Sequence, residues 1–386
     1  MKQLHVPSHD WTFPFCPAAP DWHIDWSATH DQLAWLTPLA ETPQDPHYHA
    51  EGDVLTHTRM VVEELIALPE WRNLDQLECS MLFAAALLHD IAKPICTKIE
   101  LNGAIVSPGH ARVGANMTRQ ILWEGQGLRA PIPVTYCETI VQLVRFHGLP
   151  LWFLDKFDPV RAVIQASQTA RLDLVALLAE ADARGRICTD QQSLINRIML
   201  FREWCVEQRC YTAPRTFETD HSRFVYFHRE HSDPDYVAYD DTANRVILMV
   251  GLPGAGKDTW TQQHCTDWSI VSLDQIRREH RIDPKDLQGK VVQLAKEQAR
   301  VLLRRREPFV WNATNLTRSI RRMLIDLFDA YKARTHIVYL DTSLHTLFER
   351  NRVRQHQVPE VVLRKFIRKL EIPDTTEAHH VEWLHE

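Results

Sequence analysis

Residues 246–259 read VILMVGLPGAGKDT, and this stretch decides the fold of the second half of the chain. Its apolar start predicts a buried strand, and the glycine-rich segment after it leads into a helical pattern. Glycines allow backbone N–H groups to point toward an anion, and the N-terminus of the following helix adds partial positive charge. The order of strand, glycine loop and helix therefore predicts a phosphate-binding P-loop. Its residues are Gly251, Leu252, Pro253, Gly254, Ala255, Gly256, Lys257, Asp258 and Thr259.

The residue after the lysine departs from the usual P-loop pattern. That position normally carries Ser or Thr, whose hydroxyl binds Mg²⁺. Here it is Asp258, followed by Thr259. A carboxylate could hold the metal directly or through water. The loop therefore predicts a site for ATP and Mg²⁺, with the protein ligand of Mg²⁺ left open.

Further apolar runs follow the P-loop at FVWNAT (309–314) and THIVYLD (335–341). Helical patterns over 286–306 and 317–332 separate them. Strands that alternate with helices are typical of a parallel α/β sheet. We therefore predict a P-loop α/β domain with a parallel sheet over residues 226–386.

The first part of the chain has a helical pattern instead. Residues 80–93, SMLFAAALLHDIAK, are apolar nearly all round, which predicts a buried central helix that Pro94 ends. Other helices are predicted over 54–68, 110–122, 135–146, 158–168, 171–185 and 190–208. Residues 1–225 are thus predicted to form an all-α domain that begins with an irregular segment over 1–50. The junction over 211–245 is polar, with β-like pieces at 224–227 (FVYF) and 236–239 (YVAY).

Charge divides the chain at the same place. Residues 1–244 carry a net charge of −12 and 13 of the 21 histidines, whereas residues 245–386 carry +6. An acidic, histidine-rich half suits divalent metals, and a basic half suits phosphates and polynucleotides. A chance distribution of solvated charges would give the same split, so composition alone does not decide between these readings.

The eight cysteines include no CxxC pair. They are typical of reduced, buried thiols, and we predict a cytoplasmic protein. The sequence has neither a run of about 18 apolar residues nor a secretory signal, so no membrane association is predicted.

His89 and Asp90 end the apolar helix and are the first candidate metal ligands. Imidazole and carboxylate together favour a transition metal such as Mn²⁺, Ni²⁺, Co²⁺, Fe²⁺ or Zn²⁺. A lone His-Asp pair is more often a hydrogen-bonding pair at a helix end. The surrounding motifs strengthen the metal interpretation. They are HYHAEGDVLTHT (47–58), LLHDIAKP (87–94), SPGHARVGA (107–115), RFHGLP (145–150) and AEADARGR (179–186).

This order of motifs resembles the HD phosphohydrolase superfamily, whose fold is a helical bundle. The resemblance implies that His57, His89, Asp90 and Asp182 hold one metal. It makes His110 and His147 candidates for a second ion that Asp90 bridges. Lys93 and Arg186 each lie one turn beyond a ligand, where a cationic side chain could bind substrate phosphate. His47, His49 and Asp53 are expected to be surface or capping residues, and His221, His228 and His231 structural.

The second half resembles the polynucleotide 5′-kinase family. The motifs that carry this resemblance are the P-loop, VSLDQIR (271–277), WNATN (311–315) and ERNRVR (349–354). The resemblance implies that Asp274 is the general base toward a 5′-hydroxyl and that Arg277 binds the acceptor phosphate. Arg350 and Arg354 match the arginines of a lid near 349–369, and their i, i+4 spacing predicts one helical face.

The two motif sets in one chain resemble a bacterial fusion that heals broken RNA ends. The resemblance implies hydrolysis of 2′,3′-cyclic, 2′- or 3′-phosphates by the first domain and ATP-dependent phosphorylation of 5′-hydroxyls by the second. RNA ends would be the partners, with DNA ends as the alternative. No Lys-x-Asp-Gly motif is present, which implies a separate ligase.

Two other functions are compatible with the same residues. One is a mononucleotide hydrolase joined to a small-molecule kinase, which the basic second half disfavours. The other is a hydrolase gated by an ATP-driven switch, which needs no acceptor-side base such as Asp274. The sequence does not predict the oligomeric state.

Overall fold

The chain divides into two units in the computed structural model, which describes residues 11–128, 132–282, 288–354 and 357–385. Unit 1 is Met1–Arg215 and unit 2 is Thr216–Glu386. The boundary predicted between 225 and 226 falls inside a helix, Asp220–His228. The β-like interpretation of residues 224–227 is therefore wrong. Thr219 caps this helix by accepting from the Ser222 N–H, and such a cap outweighs the weak strand preference of aromatic residues.

Unit 1 is mostly helical, as predicted. Two 3₁₀ segments cover Ala34–Glu41 and Phe153–Asp155. The α-helices are α1 (Trp26–Gln32), α2 (Val54–Ala67), α3 (Pro69–Arg72), α4 (Gln76–Leu88), α5 (Lys93–Cys96), α6 (His110–Trp123), α7 (Val134–Phe146), α8 (Leu149–Trp152), α9 (Pro159–Ser167), α10 (Leu172–Arg184) and α11 (Gln191–Glu207).

The prediction of an all-α first domain needs one correction. Strands β1 (Lys98–Ile99) and β2 (Ile105–Val106) form an antiparallel hairpin between α5 and α6. Two residues per strand are too few for an alternating pattern to be visible in the sequence.

Helix α4 is the buried centre of unit 1, but it ends at Leu88 rather than at Lys93. His89 and Asp90 lie in the turn after it, and Pro94 sits in the first turn of α5 instead of ending a helix. Proline fits a first turn because the N–H it lacks has no helical partner there. The stretch Gln76–Cys96 is long and apolar enough to cross a membrane, yet its most apolar window is 83% buried inside the protein, the position of a core helix.

Unit 2 is built on a five-stranded parallel sheet, as the strand–helix alternation predicts. The strand order is β4-β5-β3-β6-β7. The strands are β3 (Asn244–Val250), β4 (Ser269–Ser272), β5 (Phe309–Asn312), β6 (Ala333–Asp341) and β7 (His380–His385). The helices are α12 (Asp220–His228), α13 (Lys257–His264), α14 (Leu273–Glu279), α15 (Gln288–Arg305), α16 (Arg318–Asp329), α17 (Leu344–Val353) and α18 (Glu360–Lys369).

Helix α12 belongs to unit 2 through contacts with the segment before β7. Arg223 donates to the carbonyl oxygens of Thr375 (3.1 Å) and His379 (2.7 Å). The Phe224 ring stacks on the buried His379 ring with centroids 3.9 Å apart. These contacts support the assignment of His221 as structural, since its Nδ1 also lies 3.2 Å from His379 Nε2.

A fragment of residues 216–386 is therefore expected to fold, whereas one of residues 246–386 should be markedly less stable. The shorter fragment loses the burial of Phe224 and the two hydrogen bonds of Arg223, about 3 kcal/mol together. Thermal unfolding followed by circular dichroism measures the difference. Equal midpoints for the two fragments would contradict the assignment of α12 to unit 2.

Candidate functional site

The six predicted metal ligands of unit 1 lie together, although they come from five helices or helix ends. His57 is in α2, His110 opens α6, and Asp182 is in the last turns of α10. His89 and His147 immediately follow α4 and α7. All except His110, whose side chain is 27% exposed, are almost completely buried.

The four histidines share one hydrogen-bonding arrangement. In each ring Nδ1 faces a backbone carbonyl oxygen, which can only accept, so Nδ1 carries a proton and, in the neutral imidazole that binds metals, Nε2 carries a lone pair. The carbonyl partners are Gly185 for His57 (3.3 Å), Ala86 for His89 (2.7 Å), Ser107 for His110 (2.8 Å) and Val144 for His147 (2.8 Å). The fold thus fixes the tautomer that offers Nε2 to a metal.

The Nε2 atoms converge on two carboxylates. His57 Nε2 lies 3.1 Å from Asp182 Oδ1. Asp90 Oδ2 is 3.2 Å from His89 Nε2, and Asp90 Oδ1 is 3.4 Å from His110 Nε2. The Nε2 atoms of His110 and His147 are 3.3 Å apart. Lone pairs that face one another at these distances repel unless a proton or a metal ion lies between them.

Two buried atoms identify where such a cation fits. His89 Nε2 and Asp90 Oδ1 are buried and make no hydrogen bond. Ligand atoms of His57, His89 and Asp90 form one group within 4.8 Å, and those of Asp90, His110 and His147 form a second. Asp90 belongs to both groups. The donor set of imidazole nitrogens and carboxylate oxygens suits a divalent transition metal.

The charge of both carboxylates is maintained despite their burial. Burial raises the pKa of Asp90, but the charges of His89 and Lys93 outweigh it and hold the pKa well below its usual value. Asp182 behaves in the same way beside Arg186. Burial also lowers the pKa of His147 to about 3, so this imidazole is neutral.

Lys93 and Arg186 lie at this cluster, where the sequence placed them. Lys93 Nζ is 2.7 Å from Asp90 Oδ2 and donates to Gln44 Oε1 at 2.6 Å. Arg186 donates twice to Asp182, at 3.0 and 2.6 Å. Each cation is thus engaged with a carboxylate of the cluster. Gln44 is a neighbour that the sequence did not indicate.

One further residue of this site, Glu51, was not predicted, and the assignment of His49 to the surface is wrong. His49 is buried, and its Nδ1 lies 2.8 Å from Glu51 Oε1. The same oxygen is 2.9 Å from His57 Nδ1, and Oε2 accepts from the Ile187 N–H at 2.9 Å. Burial raises the pKa of Glu51, but these hydrogen bonds lower it well below its usual range. Asp53 caps α2, as expected, and His47 is exposed.

We expect Glu51→Ala to weaken metal binding by unit 1 roughly 10- to 100-fold, because Glu51 orients His57 and makes it more basic. Glu51→Gln keeps an acceptor for one N–H and should lose less. Titration calorimetry with Mn²⁺ measures both effects, with the exposed Glu70→Ala as the matched control. Wild-type affinity in Glu51→Ala would contradict this role.

In unit 2 the P-loop connects β3 to α13, as predicted. A side chain at Gly251 would place its Cβ 2.9 Å from the Leu340 carbonyl oxygen, so only glycine fits there. Gly256 has φ +92 at the N-cap of α13, a conformation that favours glycine. Thr259 is exposed on α13.

The side chain of Lys257 folds back over the P-loop. Its Nζ donates to the carbonyl oxygens of Gly251 and Leu252, each at 2.9 Å. Burial lowers the pKa of Lys257 to about 8, against the raising effect of the Asp258 and Asp274 charges, and the Arg354 charge lowers it further.

Asp274 occupies the first turn of α14 with an exposed side chain. Arg277 Nη1 donates to its Oδ1 at 2.6 Å. The cap of α14 is Ser272, which accepts from the Gln275 N–H, so Asp274 is not a capping residue. Its carboxylate is therefore not tied to the backbone of its own helix.

The two arginines that were expected in a lid differ in their secondary structure. Arg350 is in α17, and its Nη1 donates to the Gly254 carbonyl at 3.3 Å. Helix α17 ends at Val353, and Arg354 is extended, with φ −72 and ψ 136. The prediction that both lie on one helical face is therefore wrong. Asn351 favours this break because its side chain exchanges two hydrogen bonds with the Val358 backbone, at 2.7 and 2.9 Å.

The affinity of unit 2 for ATP is expected to fall as the pH rises from 7 to 9. Lys257 is protonated below about pH 8 and loses its charge above it. Because phosphates favour the ammonium form, binding should take up a proton near pH 8.5. Calorimetry in two buffers of different ionisation enthalpy measures this uptake. Lys257→Arg, which stays charged, should abolish it, and equal affinity of the wild type at pH 7 and 9 would contradict the prediction.

The parallel sheet, the P-loop and the surrounding charges define unit 2 as a P-loop kinase-like domain. In agreement, a family model described as an AAA domain matches residues 246–373, about a third of the chain.

Several solved structures are also similar. One is titled "Structure of Pnkp1/Rnl/Hen1 complex", with 18% identity over 32% of this chain and 43% of that chain, and a TM-score of 0.27. Another, of the Pnkp1/Rnl/Hen1 RNA repair complex, has 21% identity over 36% and 47%, with a TM-score of 0.30. A putative kinase from Chloroflexus aurantiacus has 15% identity over 38% and 86%, with a TM-score of 0.33. The chain thus spans less than half the length of the chains that it matches in the two Pnkp1/Rnl/Hen1 structures.

Proposed function

We propose that this protein heals RNA ends with two activities. Unit 1 hydrolyses 2′,3′-cyclic, 2′- or 3′-phosphate ends, and unit 2 phosphorylates 5′-hydroxyl ends with ATP. A separate ligase would join the healed ends, and the protein would act in the cytoplasm. The observation that carries the proposal for unit 1 is the convergence of four histidine Nε2 lone pairs on the carboxylates of Asp90 and Asp182.

Unit 1 has the groups that a metal-dependent phosphohydrolase needs. His57, His89, Asp90 and Asp182 would hold one ion, and Asp90, His110 and His147 a second. Bound divalent metal supplies an activated water and neutralises phosphate oxygens. Lys93 and Arg186 keep the ligand carboxylates ionised and in place. As cations at the edge of the cluster they also favour an anionic phosphate end.

Unit 2 has the charges that phosphoryl transfer requires. Lys257 leaves the carbonyl oxygens of the loop for the β- and γ-phosphates of ATP, and Arg350 and Arg354 add positive charge. Asp274 accepts the proton of the 5′-hydroxyl. The hydroxyl oxygen bonds to the γ-phosphorus at the same time, and the bond between the γ-phosphorus and the leaving ADP breaks. Arg277, which now pairs with Asp274, can exchange that partner for the acceptor phosphate.

The test incubates the full chain with radiolabelled ATP and one of three additions: a 5′-hydroxyl RNA oligomer, a nucleoside or no acceptor. Label on the oligomer supports the proposal. Label on the nucleoside alone indicates a small-molecule kinase, and ATP hydrolysis without transfer indicates a switch. A parallel assay follows loss of a 2′,3′-cyclic phosphate from RNA in Mn²⁺, where no hydrolysis would contradict the role of unit 1. A DNA oligomer in both assays reports the preference for RNA.

A further inference from the structure

The side chains of Asp258 and Asn312 are hydrogen bonded beside the P-loop. Asn312 Nδ2 donates to Asp258 Oδ1 at 2.6 Å. Asp258 is the second residue of α13, and Asn312 is the last residue of β5, which lies between β3 and β4. Asn312 is only 8% exposed, so a buried amide holds an exposed carboxylate.

The orientation of this pair follows from its chemistry. An ionised carboxylate only accepts, so the amide must present its N–H to Asp258. The amide oxygen of Asn312 then points elsewhere. Among the residues that the structure describes, no hydrogen bond engages that oxygen or Oδ2 of Asp258. One anionic oxygen and one neutral oxygen therefore remain available at the start of α13.

In the usual P-loop enzyme these two places carry different groups. The residue after the lysine is Ser or Thr, and an Asp from a strand supplies the negative charge for Mg²⁺. Here the carboxylate follows the lysine, and the strand end offers an uncharged amide. We infer that the anionic and the neutral partner of Mg²⁺ have exchanged positions, with Asp258 as the carboxylate and Asn312 as the residue that positions it. The inference rests on the proposed function only in requiring that unit 2 binds ATP with Mg²⁺.

Electrostatics explains why such an exchange requires both positions. The exchange keeps one negative charge at the site. Asp258→Ser alone leaves a hydroxyl and an amide, with no anion for a hard cation that prefers carboxylates. Asn312→Asp alone sets two carboxylates at the separation of a hydrogen bond, where like charges repel. The double variant Asp258→Ser/Asn312→Asp recreates the usual hydroxyl and carboxylate.

The inference predicts a pattern in the affinity for ATP. For the full chain, affinity is measured in Mg²⁺ and in EDTA, and the ratio reports the contribution of the metal. Asp258→Ser should reduce this ratio roughly tenfold or more, as for loss of a group that holds a metal. Asn312→Asp should weaken ATP binding in EDTA through repulsion. The double variant should recover much of the wild-type ratio, although each change alone impairs binding.

The control is Asp267→Ser, which removes an exposed carboxylate of the same unit and should not alter the ratio. Thermal unfolding of each variant without nucleotide separates misfolding from loss of the metal contribution. A double variant no better than Asp258→Ser would overturn the inference, as would a ratio that depends on Thr259 but not on Asp258.

This experiment does not involve an acceptor, so its outcome is independent of the RNA assay. A restored ratio together with no labelling of RNA would uphold the exchange and reject the proposed kinase substrate. A ratio that is not restored, together with labelled RNA, would reject the exchange and uphold the proposed kinase substrate. A wild type that binds no ATP in Mg²⁺ would overturn both.

Discussion

Asp90→Asn is expected to abolish hydrolysis of a 2′,3′-cyclic phosphate RNA end and to release transition metal from the protein. Asp90 lies at the centre of the cluster, with one oxygen near His110 and the other near His89. The substitution removes the negative charge that both groups of ligands share, while the side chain keeps nearly the same size. Because a metal held by these ligands would supply the activated water, loss of several orders of magnitude in rate is expected. Hydrolysis assays and metal analysis of the purified variant measure both effects.

The variant also leaves Lys93 buried beside a neutral amide, which by itself is destabilising. A second variant, Asp90→Asn/Lys93→Met, removes that cation and should remain inactive although its thermal midpoint recovers. Phosphorylation by unit 2 is the internal control and should be unchanged in both. Full hydrolysis by a folded, metal-free Asp90→Asn protein would reject the metal site.

The metal content of two further variants reports how many ions the site holds. His110→Ala and His147→Ala should each reduce bound metal by one equivalent if Asp90 bridges two ions. If the site holds one ion, the metal content should stay the same. A fully active wild type that binds one equivalent in excess Mn²⁺ would reject the second ion.

Asp274→Asn is expected to lower transfer of phosphate to a 5′-hydroxyl by roughly 10²- to 10⁴-fold, as for loss of a general base. ATP binding should be affected much less, because the role proposed for Asp274 is toward the acceptor hydroxyl and not toward ATP. Lys257→Ala, in contrast, should lose both binding and transfer. Single-turnover assays with labelled ATP, together with binding measurements, separate the two effects. Normal transfer by Asp274→Asn would reject its assignment as the base.

The P-loop could be predicted because its determinants are contiguous. Strand, glycines, lysine and helix follow one another within 246–264, and each is specified by local geometry. The strand at the chain end was not predicted. This strand, β7, is formed by His380–His385. Its residues have only a weak preference for strands, and pairing with β6 stabilises it. Residues 224–227 show the opposite case, where a strand-like composition forms a helix because of a cap and buried stacking.

The candidate ligands of unit 1 were recognisable as residue types, but their proximity depends on the packing of helices. His57 and Asp182 are 125 positions apart and in contact, and Gly185 allows this because a Cβ there would lie 2.7 Å from the Val61 nitrogen. Glu51 and His49 carried no separate signal, since acidic and imidazole side chains near a helix start are usually exposed. Burial and hydrogen bonding to His57 exist only after α2 and α10 have packed.

The sequence by itself determined the helical first half, the P-loop and its flanking sheet, and the residue types of both sites, because periodicity and short motifs are local. Tertiary structure alone decided which nitrogen of each histidine faces the cluster, through carbonyl groups that the fold places behind each ring. It also decided that Asn312 holds Asp258 and that Arg354 leaves its helix. These features depend on contacts between distant segments of the chain. No local sequence pattern records the free energy of burial and hydrogen bonding in such contacts.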